Sequence, residues 1–259
     1  MFLLLQVLLG GQAVGSPEVN LPLANVQVVI DPGHGGTNPG LVYHYRNGKE
    51  NRLFIEKVYT CDVSARLVKI LENLGAHVVS TIQGSCLGKP QSNPTSTSSR
   101  IRNTDELFAT TGKGVHGDSL GLKERVKLAE EVARLHPDER TVYVSIHFDS
   151  GYSRKLHGAY IIVPPSKASD PLAVSLAGEF SSAGLTGQGF CRKPTIIVAI
   201  GTCGIKNILI LKSPPVDNMV LLELGNIGNN SDRAKVLDPT SRQKYADLIA
   251  DGIVRFSKE

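Results

Sequence analysis

Three apolar, strand-like segments constrain this chain most, because each of them ends in a histidine or carries a carboxylate. The first runs through Ile30 into a turn that holds His34, the second closes on His147, and the third contains Glu223. The carboxyl ends of parallel strands converge at one edge of an open α/β sheet, so side chains far apart in sequence can meet there. We therefore expect two histidines and a glutamate to share one cleft, a pattern typical of metal-dependent hydrolases.

The composition supports one globular domain and gives little other information. The chain has 259 residues, of which 41% are hydrophobic and 20% charged, enough to bury one substantial core. The net charge of +4 is spread along the sequence without a lysine-arginine block, which favours an anionic environment only weakly. No basic aromatic motif or recognition helix indicates nucleic-acid binding. We expect a monomer.

The amino-terminal residues resemble a targeting segment. Residues 2–9 are apolar but too short to span a bilayer, and the small residues Ala13 and Gly15 follow them. This pattern predicts a secretory signal over residues 1–15 and a linker over 16–25, although a mis-assigned start or a buried first helix would give the same composition. No other segment approaches about 18 consecutive apolar residues, so we expect no membrane span and a secreted, periplasmic or cell-wall location.

The four cysteines, Cys61, Cys86, Cys191 and Cys203, show no C-x-x-C spacing. This argues against a zinc knuckle or a thioredoxin-like redox pair. Two disulfides are compatible with an exported chain, and Cys191 with Cys203 is the first pair to test because both lie in one glycine-bracketed segment. Cys61 falls within a helical pattern and is predicted to be a small buried apolar residue rather than half of a bridge.

Hydrophobic periodicity predicts a single α/β domain over residues 26–257. A strand over 26–30, a helix over 55–74 and a strand over 77–82 form a βαβ unit, which crosses over right-handedly into a parallel sheet. Further helices are predicted over 122–135, 171–183 and 240–256, and further strands over 141–147, 158–163, 195–200, 207–211 and 219–224. We expect a mostly parallel, twisted sheet flanked by helices on both faces.

Residues 83–120 interrupt the periodic pattern with prolines, glycines and a Ser/Thr run. A loop of this length inside a compact domain is usually functional or mobile. Because the insertion follows a parallel strand, we expect it to border the cleft and to gate access to it. The alternative is a surface excursion without a role in the cleft.

The metal ligands are predicted from turn and strand positions. His34 lies on a glycine-rich turn after a strand, where a substrate can approach closely, although a lone loop histidine is usually a surface residue. His147 ends a strand and is either a ligand or a buried structural histidine. Glu56, at the start of the first long helix, is the favoured third ligand; Glu50 is the next candidate if that helix begins earlier. Glu56 is also explained as a carboxylate favoured by the helix dipole.

Glu223 differs from the other candidates because it stands in an otherwise apolar strand. An uncompensated carboxylate is costly there, and burial of this kind shifts a pKa and marks functional sites. Glu223 is therefore predicted to be the general base or the electrostatic partner of a metal-activated water. A buried arginine such as Arg125 that neutralises Glu223 is the structural alternative.

Four motifs resemble, in order and approximate spacing, those of the zinc-dependent N-acetylmuramoyl-L-alanine amidases of the amidase_3 type. They are DPGHGG at 31–36, EK at 56–57, SIHFD at 145–149 and ELGNIGN at 223–229. The resemblance covers about residues 26–256 and implies that His34, Glu56 and His147 bind zinc and that Glu223 is catalytic. It also marks the leucine-arginine segment ending in Arg125 as a structural element.

The resemblance implies cleavage of the amide between N-acetylmuramic acid and L-alanine in peptidoglycan. Two positions depart from the family pattern: Asp149 replaces the usual asparagine, and Asn226 replaces the usual phenylalanine. We expect both to contact substrate, with Asp149 adding negative charge beside the metal. The alternatives are a carboxypeptidase-like or deacylase zinc enzyme acting on another amide, and a catalytically silent peptidoglycan-binding homologue.

Overall fold

The computed structural model describes residues 21–35, 38–47, 49–82, 119–149, 154–165, 167, 170–188, 196–203, 205, 208–212 and 215–259. Within them the strands are β1 Val26–Pro32, β2 Val42–Asn47, β3 Glu50–Ile55, β4 His77–Ser80, β5 Arg140–Asp149, β6 Tyr160–Val163, β7 Ile197–Ala199 and β8 Asn218–Asn226. The helices are α1 Glu56–Asn73, α2 Ser119–Leu135, α3 Pro171–Ser182, α4 Leu209–Lys212, α5 Asn230–Leu237 and α6 Pro239–Ser257.

Six of these strands form one mixed sheet in the order β4-β1-β5-β8-β6-β7. The pairs β4–β1, β1–β5, β5–β8 and β6–β7 are parallel, and only the β6–β8 pair is antiparallel. The predicted mostly parallel sheet is therefore confirmed. Strands β1, β5 and β8 are central and almost wholly buried, which explains why their sequences are nearly continuous apolar runs.

Helices cover both faces of the sheet, as predicted. One face packs Val28, Val144 and Val220 against α1, α3 and α6, whereas the other face packs Val29, Tyr143 and Leu221 against α2 and α4. Alternation along each strand produces this division, because successive side chains point to opposite faces. On β5, His147 has the same parity as Tyr143 and so belongs to the α2 and α4 face.

Helix α6 closes the larger core. Asp238 caps its first turn by accepting a hydrogen bond from the Ser241 backbone N–H at 2.8 Å, and a proline occupies the first helical position. Inside the helix, Arg242 is fully buried and donates to Asp62 of α1 at 2.6 Å. This ion pair joins the last helix of the chain to the helix that begins with Glu56.

The antiparallel hairpin of β2 and β3 was not predicted. Its two strands pair from Val42 opposite Ile55 to Asn47 opposite Glu50. The dipeptide Asn47-Gly48 is a strong turn signal in the sequence, but the flanking strands are polar and alternate only weakly. The hairpin matters for the site because it leads from the glycine-rich turn after β1 directly into α1.

Two other predictions about local structure were wrong. Residues 207–211 were expected to be a strand, but Leu209–Lys212 form the short helix α4. Cys61 was expected to be an apolar residue without a bridge; it is buried, but it is disulfide-bonded, as is Cys203. Cys86 and Cys191 lie outside the described residues, so the pairing of Cys191 with Cys203 stays a prediction.

The predicted amino-terminal segments and the insertion are only partly covered by the described residues. Residues 1–20, with the predicted signal segment, lie outside the described part of the chain, as do residues 83–118 of the insertion. Within the predicted linker, Leu23 is fully buried and its backbone N–H donates to the Leu74 carbonyl at 3.0 Å, so packing begins before β1. None of the helices in the described ranges has the length and apolarity needed to cross a bilayer.

Candidate metal centre and active site

His34, Glu56 and His147 lie together at the carboxyl edge of the sheet. Glu56 stands between the two histidines: its Oε2 lies 3.0 Å from Nε2 of His34, and its Oε1 lies 3.1 Å from Nδ1 of His147. The two imidazole rings are 4.9 Å apart between centroids and nearly perpendicular. One possible ligand atom from each of the three residues lies within 4.8 Å of the other two.

Three separate elements position these side chains. His34 follows β1, His147 lies near the end of β5, and Glu56 is the first residue of α1. Because β1 and β5 are parallel neighbours, their carboxyl ends bring both histidines to one edge. Helix α1 begins at Glu56 and not earlier, so the condition under which Glu50 would be the third ligand does not hold; Glu50 starts β3.

Backbone N–H groups hold the Glu56 carboxylate in place. Leu41 donates to Oε2 at 2.8 Å, and Phe148 donates to Oε1 at 3.0 Å. Burial alone would raise the pKa of Glu56, but hydrogen bonds from His147 and His34, together with their charge, hold it far below its usual value. The group is therefore an ionised, oriented carboxylate, the form in which glutamate binds a metal.

The His34 side chain is held by an unusual backbone and a close neighbour. Its φ is 66°, a left-handed conformation in which histidine is enriched among non-glycine residues. Its Nδ1 lies 3.3 Å from Oδ1 of Asn38, and its Nε2 lies 3.0 Å from Oε2 of Glu56, so each ring nitrogen has a polar neighbour that fixes the plane of the imidazole. Gly40 sits so close that an added Cβ would lie 2.4 Å from the His34 ring.

Gly33 leaves room for His147. A Cβ at this position would lie 2.5 Å from the His147 ring and 2.6 Å from the Ile146 carbonyl oxygen, distances that real Cβ atoms do not adopt. The Gly33 N–H donates to that carbonyl at 2.8 Å, so the turn is tied to β5. The glycine in DPGHGG is thus required by close approach of the backbone to the second histidine.

An ion pair below the histidines fixes the turn after β1. Asp31 accepts from Arg125 at 2.7 Å, Thr81 at 2.6 Å and Ser145 at 2.7 Å. Arg125 also donates to the carbonyl oxygens of Pro32 at 2.8 Å and His34 at 2.6 Å. Burial alone would raise the pKa of Asp31, but Arg125 and the two hydroxyls lower it below its usual value. The sequence assigned Arg125 a structural role but gave no role to Asp31.

Glu223 lies at the same carboxyl edge of the sheet, but its environment differs from that of Asp31. It lies opposite His147 in the β5–β8 register, and in the described part of the chain its buried Oε2 has no hydrogen-bond partner. Burial, and then the negative charges of Glu56 and Asp149, raise the pKa of Glu223 well above its usual value. Since Arg125 is bound to Asp31, the alternative in which Arg125 neutralises Glu223 is not what the structure has.

The comparison with protein families decides the identity of the fold. Residues 28–255 match the family model Amidase_3, described as N-acetylmuramoyl-L-alanine amidase. The chain belongs to this amidase family. The four motifs that suggested the resemblance all fall inside the matched range.

Individual relatives agree with this assignment. The chain is 24% identical over 235 residues to a probable cell wall amidase, LytH, of Staphylococcus epidermidis, with 91% of this chain and 60% of that protein covered. It therefore spans about three fifths of the length of that relative. It is 26% identical over 242 residues to the germination-specific N-acetylmuramoyl-L-alanine amidase of Bacillus subtilis, covering 93% of this chain and 83% of that one.

Solved structures show the same fold. The amidase Ami1 of Mycobacterium smegmatis superposes with a TM-score of 0.59 at 22% identity, covering 91% of this chain and 98% of that one. The catalytic domain of the N-acetylmuramoyl-L-alanine amidase CwlV of Bacillus (Paenibacillus) polymyxa gives a TM-score of 0.55 at 26% identity, with 88% and 96% covered. The sheet and helices described above are therefore those of the amidase fold.

The two positions that depart from the family pattern occupy different environments. Asp149 is partly exposed at the end of β5, where it raises the pKa of Glu223. Asn226 is only 2% exposed, and its side chain donates to the Leu156 carbonyl at 2.8 Å and accepts from the Gly228 N–H at 2.9 Å. These contacts favour a structural role for Asn226 over the predicted substrate contact, whereas Asp149 remains a candidate for that contact.

A cleft of about 330 Å³ opens beside the two histidines. Its polar side includes His34, Asn38 and His147, and its apolar side is formed by Leu122 of α2 and residues 208–210 around the start of α4. The candidate site is thus bordered by the helices of one face of the sheet. Helix α4, where a strand was predicted, supplies part of this wall.

The donor set fits a zinc ion. Two neutral imidazoles and one carboxylate are the ligands of many catalytic zinc sites, which keep a further position for water or substrate. Glu56 is ionised and oriented by two N–H groups, and Asn38 orients one imidazole in the way that ligand histidines usually require. The residues of this chain therefore suit the metal that its family resemblance implies.

Proposed function

We propose that this protein is a zinc-dependent hydrolase that cleaves the amide bond between N-acetylmuramic acid and L-alanine in peptidoglycan. The observation that carries the proposal is the pairing of Glu223, whose Oε2 is buried without a hydrogen-bond partner among the described residues, with the His34, Glu56 and His147 cluster in a chain of the amidase family. A site with three oriented metal donors and one separate base is suited to hydrolysis of an unactivated amide.

His34, Glu56 and His147 would hold the zinc. When bound there, zinc supplies a Lewis acid that polarises the scissile carbonyl and makes an adjacent water more acidic. The protein keeps the ligands ready for this role through the Leu41 and Phe148 N–H groups on Glu56. With Nε2 of His34 on the metal, Oδ1 of Asn38 would accept the proton that remains on Nδ1.

Glu223 is proposed to move the protons. Its raised pKa means a high proton affinity, which suits a residue that takes a proton from the attacking water. The same carboxyl group then gives this proton to the nitrogen of the departing L-alanine. No hydrogen bond from the described residues engages the buried Oε2, so the protein does not compete for the lone pairs of this oxygen.

The cleft is proposed to hold the muramoyl-peptide. Leu122 and Ile210 offer an apolar wall to the lactyl and alanyl methyl groups, while Asn38 offers a polar contact near the metal donors. All four reactive side chains come from one chain, so we propose that a monomer is the active unit.

The site of action is proposed to be outside the cytoplasm, at the cell wall. One relative named above is a probable cell wall amidase, and another is a germination-specific N-acetylmuramoyl-L-alanine amidase. The disulfide bonds at Cys61 and Cys203 are consistent with this location, because disulfides persist in oxidising compartments. The sequence of residues 2–15 favours export by a secretory signal.

Mass spectrometry of digested sacculi tests the proposal. Purified protein with zinc should release fragments with new L-alanine amino termini and no new reducing sugars, and excess chelator should stop the release until zinc is added back. Full activity in chelator, with metal absence confirmed by elemental analysis, would refute the zinc mechanism. New reducing sugars instead of amino termini would refute the choice of bond.

The alternatives have less support. A carboxypeptidase-like enzyme needs a cation for the free carboxylate of its substrate, and Arg125, the arginine that lines the cleft, is bound to Asp31 and two carbonyl oxygens. A catalytically silent homologue is expected to lack a ligand or the base, and all four residues are present.

A further inference from the structure

A second group of metal-binding side chains lies at the opposite end of the sheet from the amidase site. His77 begins β4, His136 follows α2, and Glu139 directly precedes β5. One donor atom from each of the three lies within 4.8 Å of the other two. The strand segment from Arg140 to His147 separates this group from the first cluster by about 20 Å at 3.3 Å per residue.

The backbone around the three residues is fixed by β1. Gln27, a fully buried residue of β1, pairs with His77 in the β1–β4 register and donates its side-chain N–H to the His136 carbonyl at 2.9 Å. The Glu139 N–H donates to the same carbonyl at 3.1 Å, and the Arg140 N–H donates to Asn25 at 3.0 Å. These bonds hold the backbone of His136 and Glu139 close to His77.

The side chains face one another in this frame. The rings of His77 and His136 are 5.0 Å apart between centroids at 65°, and Nδ1 of His136 lies 3.5 Å from Oε1 of Glu139. The other carboxylate oxygen, Oε2, is buried and has no hydrogen-bond partner within the described residues. Buried carboxylate oxygens usually have a partner, and a cation held by the two imidazoles and this carboxylate would supply one.

We propose that His77, His136 and Glu139 form a second, non-catalytic site for a borderline divalent transition metal, with zinc as the first candidate. Two imidazoles and a carboxylate suit zinc, copper or nickel, whereas calcium and magnesium prefer oxygen ligands alone. Donors on one zinc ion lie about 3–4 Å apart, which rotation of the exposed His77 and half-exposed His136 side chains can reach.

The bound metal would join the edge strand β4 to the connection between α2 and β5. The site lies at the start of β4 and just after the end of α2, which are the ends of these elements that are remote from residues 83–118. The site is too far from Glu223 to take part in hydrolysis. Its expected effect is on the thermal stability of the folded chain.

Zinc stoichiometry of the full chain tests the site independently of amidase activity. The protein is stripped of metal, dialysed against zinc chloride and measured by elemental analysis. We expect two zinc ions per chain in the wild type, one in His136→Ala and His77→Gln, one in Glu56→Gln, and none in Glu56→Gln combined with His136→Ala. His44→Ala removes an exposed histidine outside both clusters and should keep two.

Thermal unfolding gives a second readout. In the Glu56→Gln background, zinc should raise the midpoint temperature, and His136→Ala should abolish that rise while leaving the midpoint in chelator unchanged. One zinc per wild-type chain that Glu56→Gln removes, or two zinc ions in His136→Ala, would overturn the second site. Neither result would affect the proposed amidase activity, which His77→Gln and His136→Ala should retain.

Discussion

Two carboxylates at the carboxyl edge of the sheet, Asp31 and Glu223, have opposite environments. They lie on β1 and β8, the two strands that flank β5, and are opposite Ser145 and His147 in register. Asp31 accepts from Arg125, Thr81 and Ser145, and its pKa is lowered. The buried Oε2 of Glu223 has no partner in the described residues, and the pKa of this group is raised.

The two environments suit two different roles, a structural one for Asp31 and a catalytic one for Glu223. A buried carboxylate with a full set of donors is stabilising and unreactive, because its proton affinity is low. One that lacks donors and faces other negative charges lowers stability but has the proton affinity that a general base needs. Asp31 therefore holds the turn that carries His34, and Glu223 is left for the reacting water.

Changing each carboxylate to its amide sharpens this comparison, and the largest effect is expected at Glu223. Glu223→Gln should lower turnover on muramoyl-peptide by about 10²–10⁴-fold, the range for loss of a general base. It should keep zinc, and its free energy of unfolding should stay the same or rise, because an unpaired buried charge is removed. Kinetics, elemental analysis and urea unfolding measure the three quantities.

The matched control is Glu72→Gln, a change of the same kind on an exposed part of α1, which should keep full activity. A Glu223→Gln protein that loses its zinc would make Glu223 a metal ligand. One that keeps near wild-type turnover would remove the distinction between the two carboxylates.

The corresponding change at Asp31 should act on stability. Asp31→Asn leaves the Arg125 guanidinium, whose side chain is 12% exposed, without its counter-charge. Breaking a buried ion pair from one side costs about 3–5 kcal/mol, so the free energy of unfolding should fall by about 3 kcal/mol. Asp217→Asn, at a side chain that is 95% exposed and pairs with Lys167, should change it by less than about 0.5 kcal/mol. Equal losses in the two variants would contradict the role given to Asp31.

The acid limb of stability gives a pH test of the same carboxylate. The folded-state pKa of Asp31 lies below its unfolded value of 3.8, so its contribution is complete above that value and is lost as the pH falls through the folded pKa. The difference in unfolding free energy between the wild type and Asp31→Asn should therefore be constant from neutral pH to about pH 5 and shrink below pH 4. Urea titrations at several pH values measure it, and a difference that persists unchanged at the lowest pH would contradict the lowered pKa.

Much of the frame was predictable from the sequence, because its central elements have strong periodicity. Strands β1, β5 and β8 are apolar runs, and α1 and α6 carry long buried stripes, so all five were predicted within a few residues. Helix α5, which was not predicted, is held by polar contacts. Helix α5 depends on Asn229 as its cap, and its buried Asp232 accepts from the Gly158 N–H at 2.8 Å. Such bonds to distant parts of the chain have no periodic signal.

The site was predictable in its residue types but not in its supports. The sequence favoured His34, His147, Glu56 and Glu223, and the structure brings the first three together with Glu223 opposite His147. It did not indicate that Asp31 and Arg125 hold the turn, since their contact joins positions 94 residues apart. Asn38, which orients His34, was also missed, although an Asn four residues after a turn histidine is a usable signal.

The smallest expected effect concerns Asp149, the negative charge that helps to distinguish Glu223 from Asp31. Asp149→Asn restores the residue type that is usual in the amidase family and removes one of the charges that raise the pKa of Glu223. The pKa of Glu223 should fall, so the ionised base should persist to lower pH. The acid limb of kcat/KM should therefore move to lower pH, with a change of only a few-fold at neutral pH, whereas Asp217→Asn should leave the profile unmoved. A limb that stays in place or moves to higher pH would mean that Asp149 does not act on Glu223, and that burial and Glu56 alone set its proton affinity.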